Sequence, residues 1–134
     1  MAQLNYISIE EVMFFDTDIG QVIHNLAYLR MIESNRTKLA GLMGMDLKSM
    51  AREQLFPVLL KTEADYLRAG TLGDILRIEG SLSKVEKVRF WCEFKVIRQS
   101  DEVVLVNCVQ SLALVKMPEG KPQRLPKEWK EQWG

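Results

Sequence analysis

Residues 14–33, FFDTDIGQVIHNLAYLRMIE, decide how the rest of the chain is read. The stretch begins apolar, turns through Asp16, Thr17, Asp18, Ile19 and Gly20, and from about Val22 changes its hydrophobic period. Val22, Ile23, Leu26, Ala27, Leu29, Met31 and Ile32 occupy most of a helical circumference, which predicts a helix covered on nearly every side in its first turns. Glu33 to Lys38 is largely polar and is expected to emerge from that cover, and Gly41 and Gly44 end the helix. Asp18 then stands beside the amino end of a buried helix, where backbone N–H groups lack intrahelical acceptors and the helix dipole favours negative charge.

On the amino side, Leu4 to Phe15 alternates Ile7, Ile9, Met13 and Phe15 against Leu4, Tyr6, Val12 and Phe14, with Glu10 and Glu11 as an interruption. It reads as a strand whose second half is covered on both faces. On the carboxyl side, Met45 to Glu53 is a loop or short helix, and from Phe56 onward the pattern is strand-like. Leu55 to Leu67 is one strand, with Pro57 near its start. A turn at 69–73 leads into Asp74 to Leu82, half-exposed by its alternation. In the next strand Val88, Phe90, Cys92, Phe94 and Val96 share one face, and Val103 to Lys116, apolar on both, belongs in the centre. The tail from Pro118 is expected to pack loosely outside.

One strand, one long helix and four successive strands predict an α+β domain over 1–134: a five-stranded antiparallel sheet curled around the helix, with sequential strands paired. One helix cannot cover both faces of such a sheet, so an outward face carrying Trp91 and Ile97 points to oligomerisation.

Composition narrows the function. With 134 residues and 47% of them apolar, the chain supports one core. Lysine plus arginine equals aspartate plus glutamate at 18 each, so no global field favours nucleic acid or an anionic membrane. No secretory signal pattern and no apolar run of the roughly 20 residues needed to span a bilayer is visible, which predicts a cytoplasmic protein. Cys92 and Cys108 lack metal-ligand spacing and read as reduced core thiols, and a lone histidine, His24, excludes a multi-histidine metal centre. Neither a metal nor a cofactor is expected.

A carboxylate beside free backbone donors can work on one carbonyl, which is the requirement for splitting an ester or thioester. Asp18 attacks directly or activates water; the alternative is that it only caps the helix. Asp16 is expected to make a structural hydrogen bond. Asn25 either bonds the reacting carbonyl or water or caps locally. His24 orients substrate or sits structurally at the rim, and Tyr28 fills core with its hydroxyl satisfied. The methionines Met43, Met45 and Met50 either shape an acyl pocket or fill core.

The arrangement FFDTDIGQVIHNLAYLRMIESNRT, together with TEADYLRAGTLGDIL over residues 62–76, resembles the hotdog-fold thioesterases of the 4-hydroxybenzoyl-CoA thioesterase family, including the YbgC-like acyl-CoA thioesterases. Asp16, Thr17, Asp18, Gly20, Asn25, Tyr28 and Glu33 fit the family's pattern, while the usual glycine after Gly20 is Gln21 and the usual histidine at 25 is asparagine. The resemblance implies a sheet wrapped around the helix, edge-to-edge dimers or tetramers, and acyl-CoA hydrolysis between subunits. It places the catalytic carboxylate on Asp18, assisted by Asn25. Gly20, Val22, His24, Tyr28 and Glu63 are the substrate-contacting candidates, with Glu63 either approaching from a neighbouring subunit or lying on a solvated or interface face, and Lys84, Lys87 and Arg89 are either local cations for the phosphates of coenzyme A or a plain charged hairpin. A thioester carried on an acyl carrier protein is the alternative substrate, and non-catalytic acyl-CoA binding the alternative function.

Overall fold

The computed structural model describes residues 3–134. Asn5–Glu11 forms β1, Asn25–Leu42 α1, Leu47–Glu53 α2, Leu55–Tyr66 β2, Ile75–Val85 β3, Arg89–Arg98 β4, Val103–Lys116 β5, Lys121–Gln123 β6 and Lys127–Trp133 α3. The five long strands make one antiparallel sheet in the order β1-β3-β4-β5-β2, with β6 added to the end of β5. The sheet curls around α1 in the expected hotdog arrangement. Leu76, Ile78 and Leu82 of β3, Phe90, Cys92, Phe94 and Val96 of β4, and Val106, Cys108, Leu112 and Leu114 of β5 supply its buried side. Met31, Ile32 and Leu39 of α1 pack against them.

Sequential pairing holds for β3, β4 and β5 but fails for β2 and β3. Residues 67–74 are not a hairpin turn: they cross the end of the sheet, with the Leu67 and Arg68 amides bonded to Leu105 O and Ala69 O accepting from Arg98 Nη1. The crossing puts β2 on the far edge beside β5 and returns β3 next to β1.

The first strand is shorter than expected. Asp16 Oδ2 accepts the Met13 amide at 2.9 Å, so the backbone winds into a 3-10 turn over Phe14–Asp16 rather than extending. Phe14 and Phe15, expected under cover, are 77% and 79% exposed. The helix also starts late. Ile23 N–H bonds to Gly70 O and His24 N–H to Asp16 O, which holds Val22 and Ile23 in extended bridges to Thr71 and Thr17. α1 is one-sided rather than apolar all round: it packs mainly on β1, β3 and β4, and Leu26 stays 65% exposed. Nor does its second half emerge, because Asn35 is buried and ties it to the sheet through Tyr6 O, Ser8 Oγ and Ile78 O. Its end is a Schellman cap: Gly44 takes φ 92°, Met45 N–H reaches Ala40 O and Gly44 N–H reaches Gly41 O.

Two further expectations are corrected. Ile97 is buried, since a register shift after Val96 turns it from the outer face, whereas Val88 in the hairpin is exposed. The tail is part of the core: β6 pairs with β5, and Trp129 of α3 lies edge-on to Phe90 at 5.6 Å. Met43 and Met45 are buried within the core cluster, and Met43 also borders a small gap between α1 and the sheet with Pro57, Phe90 and Leu112.

Candidate active site

The site is a ribbon folded back on itself at the end of the sheet where β1 stops. Thr17 pairs with Ile23, Asp18 N–H bonds to Val22 O at 3.0 Å, and Gln21 N–H closes a turn onto Asp18 O at 3.1 Å. Gly20 (φ 86°) and Gln21 (φ 62°) carry the reversal, which leaves Ile19 at the tip fully in solvent. Leu72 N–H to Gln21 O and Gly73 N–H to Val12 O sew the ribbon to the crossing segment.

Asp16 anchors this ribbon. It is 3% exposed, accepts the Met13 amide, and has Arg30 Nη2 3.6 Å from Oδ1; Arg30 also bonds Glu10 at 3.2 Å. Asp16 therefore makes the structural hydrogen bond expected of it. Asp18 differs: only its backbone is engaged, and its exposed carboxylate meets no hydrogen-bond or ion-pair partner among the described residues.

The helix is capped by His24, not Asp18. His24 Nδ1 accepts the Leu26 amide at 3.1 Å, which places the ring proton on Nε2. The donors expected from Val22 to Asn25 are accordingly reduced, since the Ile23 and His24 amides are already bonded. Among the described residues the Val22 and Asn25 amides have no acceptor, and the exposed Asn25 side chain has no partner.

Asn25 and Val22 border a cleft of about 240 Å³ whose other wall is the end of β2, with Tyr66 and Arg68. Tyr28 forms the floor. Its hydroxyl accepts the buried Gly70 amide at 3.0 Å and its ring leans on Tyr66 at 5.9 Å, so it is a core tyrosine that shapes the cleft. Burial pushes that hydroxyl above the ordinary phenol range, against the opposing Gly70 bond.

The ribbon thus brings Val22, Asn25 and, beneath them, Tyr28 to the cleft, while Asp18, Gly20 and His24 lie on the same ribbon outside its lining. It does not bring Glu63, which lies on the outer face of β2 paired with Lys61 at 2.7 Å, away from the helix. Nor does it bring Lys84, Lys87 and Arg89, which belong to the β3–β4 hairpin at the opposite end of the sheet. Lys84 is further engaged by Glu86 at 3.2 Å and the Trp91 ring at 4.8 Å. Sequence reading missed Arg30, whose partners lie 14 and 20 residues away, and the inward chain in which Arg36 donates to Gln110 and Gln110 to Thr62. An arginine within the otherwise polar stretch of α1 gave no sign that it turns inward. Among the described residues no cluster of potential metal ligands occurs, and no helix is long and apolar enough to cross a membrane.

The chain is 30% identical over 120 residues to the acyl-CoA thioesterase YbgC of Haemophilus influenzae, covering 89% of this chain and 87% of that protein. A probable thioesterase from Bartonella henselae superposes with a TM-score of 0.83 at 27% identity, covering 91% of this chain and 99% of that one. A Staphylococcus aureus protein crystallised with CoA reaches 0.88 at 14% identity, covering 98% and 83%, a likeness of fold alone. Residues 12–133 match the sequence profile of the thioesterase-like superfamily, and the chain, with its hotdog sheet and its Asp18 ribbon, belongs to that family.

Proposed function

We propose that the protein is an acyl-CoA thioesterase whose reacting carboxylate is Asp18. The observation that supports this reading is the uncommitted Asp18 side chain on the ribbon that leads into Asn25, whose amide is free and which lines an open cleft. Asp18 acts as nucleophile on the thioester carbon, displacing thiolate and forming an anhydride that water then hydrolyses, or as general base toward a water that attacks the carbon itself; in either case the C–S bond breaks and water supplies the acid's oxygen and the proton that the thiolate takes up. The Asn25 amide, at the first position of α1, and its side chain are the donors for the oxyanion, with the helix dipole adding to them.

The YbgC relative's activity supports acyl-CoA as the substrate class. A second copy is the natural cover for the cleft. The inner side of β2 is left open by α1, and Leu59, Leu60, Tyr66 and Leu67 on that edge are exposed. A homodimer or homotetramer formed along this edge would bury them.

Release of free thiol from a panel of aliphatic and aromatic acyl-CoAs tests the reading. Asp18→Asn is expected to lower kcat by about 10²–10⁴ without unfolding the protein, and full retention of activity would overturn the assignment. Asn25→Ala is expected to lower kcat more than it raises KM.

A further inference from the structure

Arg30, Arg77 and Arg98, all near the end of the molecule that carries the Asp18 ribbon, are held by carboxylates. Arg30 pairs with Glu10 and Asp16, Arg77 with Glu79 and Glu102, and Arg98 with Asp101 and Asp74. Arg68, at the same end, is not: its side chain is exposed and meets no acceptor among the described residues. Its backbone, by contrast, is fixed. The Leu67 and Arg68 amides share Leu105 O at 2.8 and 3.2 Å, Ala69 O accepts from Arg98 Nη1 at 3.3 Å, and Gly70 gives its N–H to the Tyr28 hydroxyl and its carbonyl to the Ile23 amide. These bonds tie the segment to β5, to β4 and to the entry of α1.

Arg68 therefore stands at a defined place in the cleft of about 240 Å³, on the wall opposite Val22 and Asn25, and among the described residues it is the only charged group in the lining. The Tyr66 hydroxyl, on the same wall, also lacks a partner among the described residues. A guanidinium presents a fork of N–H donors that matches a carboxylate through two parallel bonds. The anion it meets has to arrive with the substrate and lie close to the scissile bond, because Asn25, the donor proposed for the oxyanion, lines the same cleft. The phosphates of coenzyme A do not qualify, since the whole pantetheine arm separates them from the thioester. The cleft is also smaller than the roughly 300–1,000 Å³ of pockets for drug-sized ligands, which suits a short acyl group rather than a long chain.

We propose that Arg68 selects short acyl groups that carry a second carboxylate at the end remote from the thioester, with the Tyr66 hydroxyl as a further donor to it. The inference rests on the acyl-CoA reading above and narrows its substrate to one class. The far carboxylate is bound equally well before and during the reaction, so Arg68 acts on affinity and selectivity, while the chemistry stays with Asp18 and Asn25. A neutral acyl group of the same length leaves the guanidinium without its partner and gains nothing from it.

The test is hydrolysis of glutaryl and pentanoyl thioesters, each made both on coenzyme A and on N-acetylcysteamine. The second carrier has no phosphate, so there the acyl carboxylate is the only anion. The wild type is expected to favour glutaryl over pentanoyl in kcat/KM by about 10- to 100-fold on both carriers, the effect of one charge-assisted pair, and mainly through KM. Arg68→Gln is expected to lose the preference and Arg68→Lys to keep part of it. Equal turnover of the two acyl groups by the wild type would overturn the inference. So would a preference that survives in Arg68→Gln, with or without a change of oligomer size in light scattering, or a loss that falls on both acyl groups alike, as removal of an oxyanion donor would give. Hydrolysis without any preference leaves the thioesterase reading standing. If no thioester is cleaved, yet glutarate titrated in a calorimeter binds the wild type and not Arg68→Gln, the carboxylate site stands and the thioesterase reading falls.

Discussion

Replacing Gly80 by alanine probes the seat on which α1 rests. Gly80 lies in the middle of β3, and Asn35 of α1 packs directly onto it. A Cβ at Gly80 would fall well inside van der Waals contact of Asn35 Oδ1, and 3.0 Å from Phe94 Cε1. Asn35 has nowhere to go: its Nδ2 is fixed at 3.1 Å from Tyr6 O, 2.9 Å from Ser8 Oγ and 3.1 Å from Ile78 O. Overpacking of this kind costs about 1–3 kcal/mol, and displacing Asn35 forfeits hydrogen bonds of about 1 kcal/mol each. Removing a glycine from a strand returns about 0.5–1 kcal/mol. The net expectation is a loss of about 2–3 kcal/mol, which for a chain of 134 residues lowers Tm by about 10 °C. Urea unfolding followed by circular dichroism, at one fixed protein concentration because assembly shifts apparent stability, measures it. The decisive comparison is the double variant with Asn35→Ala, in which the clashing oxygen is gone, so the two changes should fall short of additivity by at least ~1 kcal/mol. A Gly80→Ala protein as stable as the wild type, or two losses that simply add, would refute the proposed contact.

Other features respond to simpler changes. His24→Ala removes the cap on α1 and should cost about 1 kcal/mol with turnover unchanged, and His24→Ser should restore the stability; a collapse of turnover at intact stability, seen by melting and thiol release together, would make His24 a chemical residue. Trp129→Ala strips the cover from Phe90 and should lower stability by about 3–5 kcal/mol in calorimetry, whereas a loosely attached tail would give almost no change. Burial pushes the Cys92 thiol up to about 12 and the Cys108 thiol up to about 11 from an ordinary value of 9.0. Both should therefore resist alkylation at pH 8 until the protein unfolds. Because the folded values lie above the unfolded one, the stability tied to these thiols is complete below pH 9 and is lost as pH climbs toward 11–12. The slope of unfolding free energy against pH in that window should flatten in Cys92→Ala/Cys108→Ala.

Much of the fold is legible in local patterns. β5 falls where its unbroken apolar run places it, and the inward set Phe90, Cys92, Phe94 and Val96 follows from alternation alone. What escapes is decided by partners distant in sequence. The 3-10 turn after β1 exists because Asp16 captures the Met13 amide, and Asp16 stays buried because Arg30 reaches it from α1. The late helix start depends on Gly70 O, the carbonyl of a segment that crosses the sheet only because β2 pairs with β5. The tail looks solvent-loving by composition, yet Leu125 and Trp129, spaced by four residues, carry enough apolar area to dock it. At the site, Asp18 and Asn25 are readable as chemistry-bearing residue types, while the end and face of the sheet that Glu63, Lys84 and Arg89 occupy follow from strand pairing and register rather than from charge.

The two aspartates of the ribbon, two positions apart, show how a fold can commit one carboxylate and leave another free. Asp16 contributes both carboxylate oxygens and its carbonyl to structure, through Met13, Arg30 and His24. Asp18 contributes only its N–H and C=O, to Val22 and Gln21. The turn beneath Asp18 is thus held by main-chain bonds, by the reversal at Gly20 and Gln21, and by the stitches to Thr71 and Leu72, none of which uses the Asp18 side chain. A carboxylate recruited as a cap or an ion-pair partner would have to break that bond before attacking a thioester or water, and the lost bond would add to the barrier. Assigning the cap to His24 and the anchor to Asp16 removes that penalty, and it fixes the backbone from which Asp18 projects. A group positioned by rigid neighbours yet bonded to none of them is preorganised without being stabilised in its resting state. By the same reasoning Asp16 is the residue whose loss should unfold the ribbon, and Asp18 the one whose loss should leave the ribbon folded and idle.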